Sequence, residues 1–268
     1  MPSGKPGAVQ TLTGAAAING TGNGLNNFII GNDAANTLNG GGGSDTLDGG
    51  LGADMMIGGS GQDIYVVDNA GDTVVELSAQ GTDTVQSSVS FSLAGNFVEN
   101  LTLTGAAAIN GTGNGLNNAI TGNGAANTLT GGTGNDTLNG FGGSDLLIGG
   151  LGNDFLNGGL GQDTFVFNST TGAGNVDTIV GYSVPDDTIV LENSIFTGLG
   201  LGTGALAASA FVANVTGFAE DAFDRIIYRM DIGTLFYDVD GIGGIAEVAF
   251  AQITANLAGF GQGEFDII

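Results

Sequence analysis

A nine-residue pattern, Gly-Gly-x-Gly-x-Asp-x-(apolar)-x, repeats in register along this chain and constrains its fold more than any other feature. It is clearest from Gly40 to Asp48, GGGGSDTLD, and from Gly131 to Asn139, GGTGNDTLN. Glycine at positions one, two and four permits tight turns at positive φ and leaves the loop carbonyls unobstructed. The three residues after the Asp form a short strand whose middle side chain points inward. Every unit therefore carries one acidic loop and one strand, and two units complete one coil. Loops eighteen residues apart then stack on the same edge, with Asp45 above Asp63 and Asp136 above Asp154.

The units start at Gly22, Gly31, Gly40, Gly49 and Gly58, and again at Gly113, Gly122, Gly131, Gly140, Gly149 and Gly158. Position six reads Asn27, Asn36, Asp45, Asp54 and Asp63, then Asn118, Asn127, Asp136, Asp145, Asp154 and Asp163. Position eight is Ile29, Leu38, Leu47, Met56 and Tyr65, then Ile120, Leu129, Leu138, Leu147, Leu156 and Phe165. The Asn units that open each array are degenerate, as expected of the terminal repeats of a solenoid. A longer duplication frames both arrays: Thr11 to Asn27 recurs without change at Thr102 to Asn118.

The predicted fold class is all-β: a parallel β-roll, or right-handed β-solenoid, in two tandem arrays with a β-rich C-terminal capping region. The expected organisation is a lead-in over 1–21, a first roll over 22–66, a β-rich spacer over 67–112, a second roll over 113–166 and a flanking region over 167–268. Alternation from Val85 to Leu93 predicts a half-buried strand in the spacer. Further strands are expected at Asp177 to Val180, Asp187 to Leu191, Arg225 to Tyr228 and Thr234 to Tyr237, and a helical turn around Ala205 to Ala210.

Charge decides the chemistry. The formal net charge is −24, and the only cationic side chains are Lys5, Arg225 and Arg229. Such a chain has no electrostatic footing for nucleic acid or an anionic membrane surface. Stacked strands lie about 4.8 Å apart, and two bare carboxylates at that spacing repel by roughly 3 to 4 kcal/mol at an effective dielectric of ~20. With 53 Gly but 3 Pro the chain resembles neither collagen nor Pro-rich disorder, and its acids alternate with apolar residues instead of clustering. A divalent cation must therefore neutralise the stack. Cys and His are absent, so only oxygen ligands remain and a hard cation is favoured. Calcium accepts six to eight oxygens in flexible geometry, whereas magnesium demands a tighter octahedron. Metal uptake and folding are expected to be one event.

No catalytic constellation is present. The chain lacks a His for a triad or zinc protease motif, a Cys nucleophile, a GxSxG elbow and a GK[ST] loop. Its Glu residues, at 76, 99, 192, 220, 247 and 264, are scattered, and the expectation is a protein that is not an enzyme. The first ten residues contain no apolar run, and no stretch of 18 apolar residues occurs, so a soluble chain without a Sec-type signal or transmembrane segment is expected.

These repeats resemble the repeats-in-toxin (RTX) family, the haemolysin-type calcium-binding proteins, whose nonapeptide is a known calcium β-helix motif. In that family a calcium ion sits between loops eighteen residues apart. The first loop supplies the carbonyls of positions two and four with its Asp; the second supplies carbonyls one and three with its Asp. The resemblance implies one site from Gly41, Gly43 and Asp45 with Gly58, Ser60 and Asp63. It implies a second from Gly132, Gly134 and Asp136 with Gly149, Leu151 and Asp154, and a third from Phe141, Gly143 and Asp145 with Gly158, Leu160 and Asp163. A weaker, mixed site joins Asn32, Ala34 and Asn36 to Gly49, Leu51 and Asp54, and Asn127 faces Asp145 in the same way. Asp72 is spaced to pair with Asp54, although its loop lacks the Gly pattern. Asp238 and Asp240 offer either a further calcium site or a plain Asp-Gly turn.

The flank from Asp224 to Gly241 is similar to those that follow RTX arrays in secreted bacterial proteins. Glu264-Phe265-Asp266-Ile267-Ile268 looks like the uncleaved C-terminal signal read by type I exporters. The resemblance implies a secreted, extracellular protein partnered by calcium and, during export, by a type I exporter. Extracellular polysaccharide or a cell surface is a further expected partner for a stand-alone matrix protein, adhesin or nodulation-type secreted protein. The remaining alternative is the C-terminal part of a protease, lipase, glycanase or epimerase.

Overall fold

The computed structural model describes residues 7, 9–184, 186–242 and 244–268. Lys5 and the beginning of the predicted lead-in lie outside the described residues. Helical structure among the described residues is confined to the 3-10 turns Thr197–Leu199, Ala208–Ala210 and Gln262–Glu264. The helical turn expected at Ala205 to Ala210 thus occupies only its last three residues, and Gly204–Ala205 is extended. The chain divides into two compact units, Met1–Asn123 and Gly124–Ile268.

In the first unit a row of parallel strands comprises Val9–Thr11, Phe28–Ile30, Thr46–Asp48, Ile64–Val67, Thr84–Ser87, Asn100–Leu103 and Ala119–Thr121. A second row holds Gly20–Thr21, Thr37–Gly42, Met55–Ser60 and Thr73–Val75. Strands consecutive in sequence fall in different rows, so the chain winds as a solenoid. Thr46 lies opposite Ile64 and Thr37 opposite Met55, the register that two nonapeptides per coil require. Most of these strands bury an apolar residue, among them Ile29, Leu38, Leu47, Met56, Tyr65, Val85 and Leu101. A fully buried Leu or Ile contributes roughly 1.5 to 3 kcal/mol. One or two apolar residues per strand make a thin core, which leaves the polar edges to determine whether the coils close.

The run from Val85 to Leu93 is two strands, not the single one expected. Thr84–Ser87 belongs to the first row, whereas Phe91–Ser92 pairs with Gly111–Thr112. The Ser87 hydroxyl donates to the Val89 carbonyl at 2.7 Å and accepts its N–H at 3.3 Å, which turns the corner between them.

The second unit repeats this winding with Thr128–Thr133, Leu146–Leu151, Thr164–Phe167 and Thr188–Leu191 in one row, and Thr137–Asn139, Phe155–Asn157 and Asp177–Val180 in the other. The C-terminal segment then builds onto both rows. Phe265–Ile267 pairs in parallel with Thr188–Leu191, and antiparallel with Gly204–Ala205. Val248–Gln252 pairs with Asp177–Val180 and continues through antiparallel Thr234–Tyr237 and Ile226–Arg229 to Phe211–Asn214. Its core is aromatic. Phe167, Phe250, Phe196 and Tyr237 meet edge to face at centroid distances of 5.1, 5.2 and 5.0 Å, and Phe260 lies 4.9 Å from Tyr228. These pairs add about 0.5 to 1.5 kcal/mol each beyond their burial.

Candidate metal centres

The position-six residues form columns in which the backbone of one coil is bonded to the carboxylate of the next. In the first unit Asn27 N–H donates to Asp45 Oδ1 (2.7 Å), Asp45 N–H to Asp63 Oδ1 (2.7 Å), Asp63 N–H to Asp83 Oδ1 (2.8 Å) and Asp83 N–H to Glu99 Oε2 (2.8 Å). Its other column runs from Asn36 through Asp54 (2.6 Å) to Asp72 (2.9 Å). The second unit has Asn127, Asp145, Asp163 and Asp187 in succession, at 2.8, 2.9 and 3.0 Å. Beside them stand Asp136, Asp154 and Asp177, at 2.7 and 3.1 Å.

One carboxylate oxygen is thus committed to the backbone, and the second turns inward. The Oδ2 atoms of Asp45, Asp54, Asp63, Asp145, Asp154 and Asp163 are buried and accept no hydrogen bond. Position-one glycine makes this arrangement possible. A Cβ at Gly40, Gly49, Gly58, Gly140, Gly149 or Gly158 would collide with Oδ2 of the Asp in its own repeat.

The loop carbonyls converge on the same edges. Those of Gly41 and Gly43 abut Gly59 and Gly61; those of Gly132 and Gly134 abut Gly150 and Gly152; those of Phe141 and Gly143 abut Gly159 and Gly161. The carbonyls of Ser60, Leu151 and Leu160 accept the N–H groups of Gly43, Gly134 and Gly143, at 2.8, 2.9 and 2.9 Å. Gly149 and Gly158 direct their carbonyls toward Gly131 and Gly140. In the mixed pair the Asn32 and Ala34 carbonyls face Gly50 and Gly52, Gly49 directs its carbonyl at Gly31, and the Leu51 side chain is exposed. Phe141 holds φ +76° at a position where the other full repeats carry glycine.

The Asn units satisfy themselves differently. Asn27 Nδ2 donates to Asp45 Oδ1 at 2.9 Å, and Asn36 Nδ2 donates to the Ile18 carbonyl and to Asn32 Oδ1. Asn32 Nδ2 donates to the carbonyls of Gly14 and Ala16. An amide supplies protons where a carboxylate cannot, so these leading coils close through hydrogen bonds that the Asn side chains donate.

Burial pushes Asp54 and Asp145 up to about 6, with Asp72 and Asp163 as like-charged neighbours. Burial raises Asp83 to about 6, beside Asp63 and Glu99, and Asp177 to about 8, beside Asp154 and Asp136. Among the described residues no side-chain cation relieves them. Among the described residues the one salt bridge is Arg229 with Asp231 at 3.0 Å, and Arg225 donates to the carbonyls of Gly198, Ala222 and Asp224. Buried carboxylate oxygens without donors, flanked by carbonyls and closed to a Cβ, fit a hard cation of calcium's size and coordination number. The pairs that would hold it include Asp45 with Asp63, Asp136 with Asp154 and Asp145 with Asp163.

Asp83, Glu99, Asp177 and Asp187 were not among the sites expected from the sequence. They continue the columns across offsets of 20, 16, 23 and 24 residues, which break the nine-residue period. For the three Asp a signal was present: Asp83-Thr-Val, Asp177-Thr-Ile and Asp187-Thr-Ile repeat the Asp-Thr-apolar step of Asp45 and Asp136. Asp72 closes its glycine-poor loop by accepting the N–H groups of Asp68 and Asn69 on Oδ2. Asp238 Oδ1 accepts the N–H groups of Asp240 and Gly241, the geometry of an Asp-Gly turn, while its Oδ2 is buried without a donor.

Comparison with known proteins agrees with this chemistry. A family model described as the RTX calcium-binding nonapeptide repeat (4 copies) matches residues 21–56, 30–65, 112–145 and 139–169. No curated protein matches the chain. Among solved structures the chain is similar to the extracellular lipase LipA from Serratia marcescens, with 16% sequence identity and a TM-score of 0.33. The likeness covers 96% of this chain and 41% of the lipase, so the chain spans less than half of that protein's length. Residues 21–65 and 112–169 thus carry RTX calcium-binding nonapeptide repeats.

Proposed function

We propose that this chain is a secreted, non-catalytic calcium-binding module whose coils close when calcium enters the carboxylate columns outside the cell. The observation that carries the reading is the set of buried Oδ2 atoms that accept no hydrogen bond and, among the described residues, have no side-chain cation to pair with. Without a cation each column stacks like charges in a thin core, so the metal-free state is extended. Cytosolic calcium is too scarce to fill such sites, whereas extracellular modules bind at roughly 0.1 to 1 mM. Export through a type I exporter therefore precedes folding. Phe265 and Ile267 support that order, because both are buried in a paired strand once the tail has folded. On this reading the segment is recognised by the exporter only in the unfolded chain. No helix among the described residues is long and apolar enough to cross a membrane.

The test is a calcium titration followed by far-UV circular dichroism, with magnesium as control. A cooperative coil-to-β transition in calcium alone is the expected result. A chain already β-rich in chelator and indifferent to calcium would overturn the proposal.

A further inference from the structure

The first array ends on a group of acids that the nonapeptide does not provide. Ile57 lies opposite Val75, so the next residue, Glu76, stands over Gly58, where a regular repeat carries its position-one glycine. Tyr65 replaces the usual Leu or Ile at position eight, and its hydroxyl donates to Glu76 Oε2. Asp63 and Asp83 complete the group, and one carboxylate oxygen from each of the three lies within 4.8 Å of the others.

All three are buried, with exposures of 1% for Asp63, 2% for Glu76 and 0% for Asp83. The Oδ2 atoms of Asp63 and Asp83 accept no hydrogen bond. A hydroxyl held on Glu76 fixes its direction but neutralises none of the charge. We propose that Asp63, Glu76 and Asp83 form a calcium site outside the nonapeptide pattern, which ties the coil of residues 68–83 to the last regular repeat. Three side-chain carboxylates exceed the two of an array pair, and a higher ligand charge tightens calcium binding. The site rests on the calcium reading of the column that runs through Asp45, Asp63 and Asp83, and adds Glu76, which no column contains.

Tyr65 provides the test, because an excited tyrosine sensitises terbium emission only at short range and terbium replaces calcium at oxygen sites. The full chain is titrated with terbium alone under tyrosine excitation. Tyr65→Phe is expected to remove most of the sensitised emission and Tyr182→Phe, the control near Asp187, to leave most of it. Glu76→Gln, which keeps the side chain's shape, is expected to raise the half-saturating terbium concentration of the Tyr65-dependent signal roughly tenfold or more. Emission unchanged in Tyr65→Phe, or an unchanged titration in Glu76→Gln, overturns the site. Circular dichroism of the same variants separates the two proposals. A normal calcium transition with no Tyr65-dependent emission removes this site alone, and a missing transition in the unmodified chain removes the array reading.

Discussion

Within the second unit, the nonapeptide coils from Thr128 to Phe167 and the C-terminal segment from Phe196 onward reach a folded state by opposite means. Up to Asn157 the coils bury one large apolar residue per strand, and they line their edges with carboxylates. The C-terminal segment packs Phe196, Tyr237, Phe250, Tyr228, Phe260 and Phe265 into an aromatic core, and it holds both arginines of the chain. Its stability comes from apolar area, which is there as soon as the chain collapses. Under the proposed function, that of the coils depends on an ion the chain does not encode. A glycine-rich solenoid can therefore be switched by its solvent, whereas an aromatic core cannot.

The largest expected effect tests that division directly. In chelator, amide hydrogen exchange of 128–167 should accelerate by at least about 100-fold relative to the calcium form, with a much smaller change in 226–237. Equal acceleration in both segments would show that the unit unfolds as one body. Next, the Asp136→Ala, Asp154→Ala double variant should raise the calcium concentration at the midpoint of the circular-dichroism transition roughly tenfold or more. Phe250→Ala should act the other way round. It should cost ~3 to 5 kcal/mol in urea unfolding of the calcium form and leave calcium affinity at the arrays nearly unchanged.

Proton binding offers a finer probe of the coils. Asp54, Asp83 and Asp145 lie near 6 and Asp177 near 8, against an ordinary value of 3.8. A folded-state value raised in this way contributes stability below the ordinary value that is lost as pH rises through the folded value. The chelated protein should accordingly be more ordered by circular dichroism at pH 4 than at pH 8. In calcium the trend should reverse, because the ion needs these groups ionised. The smallest effect belongs to Phe141, an exposed residue that holds a left-handed backbone. Phe141→Gly should stabilise the calcium form by about 1 to 2 kcal/mol in thermal unfolding.

Much of the site was legible from spacing. The period of nine placed Asp45, Asp63, Asp136 and Asp154 on shared edges, and the structure brings each pair together through a backbone N–H to carboxylate bond. Where the loops lengthen, the period fails and the columns continue unannounced. Asp83, Asp177 and Asp187 keep their places because the strands that follow them still pair in register, Thr84 with Ile64, Thr178 with Phe155 and Thr188 with Thr164. Glu76 was invisible for another reason: nothing in a Val-Val-Glu step shows that a glycine lies beneath it.

The sequence by itself determined the repeating coil, its inward apolar file and its acidic edges. Each of these follows from residues nine or eighteen apart, a distance over which local backbone geometry sets position. Only the tertiary structure decided that the alternating run at Val85 turns a corner. It also decided that Val248–Gln252 enters the sheet between Asp177–Val180 and Thr234–Tyr237, and that Asp63, Glu76 and Asp83 share one buried space. Those outcomes depend on which surfaces remain uncovered after the coils have stacked, and no local spacing carries that information.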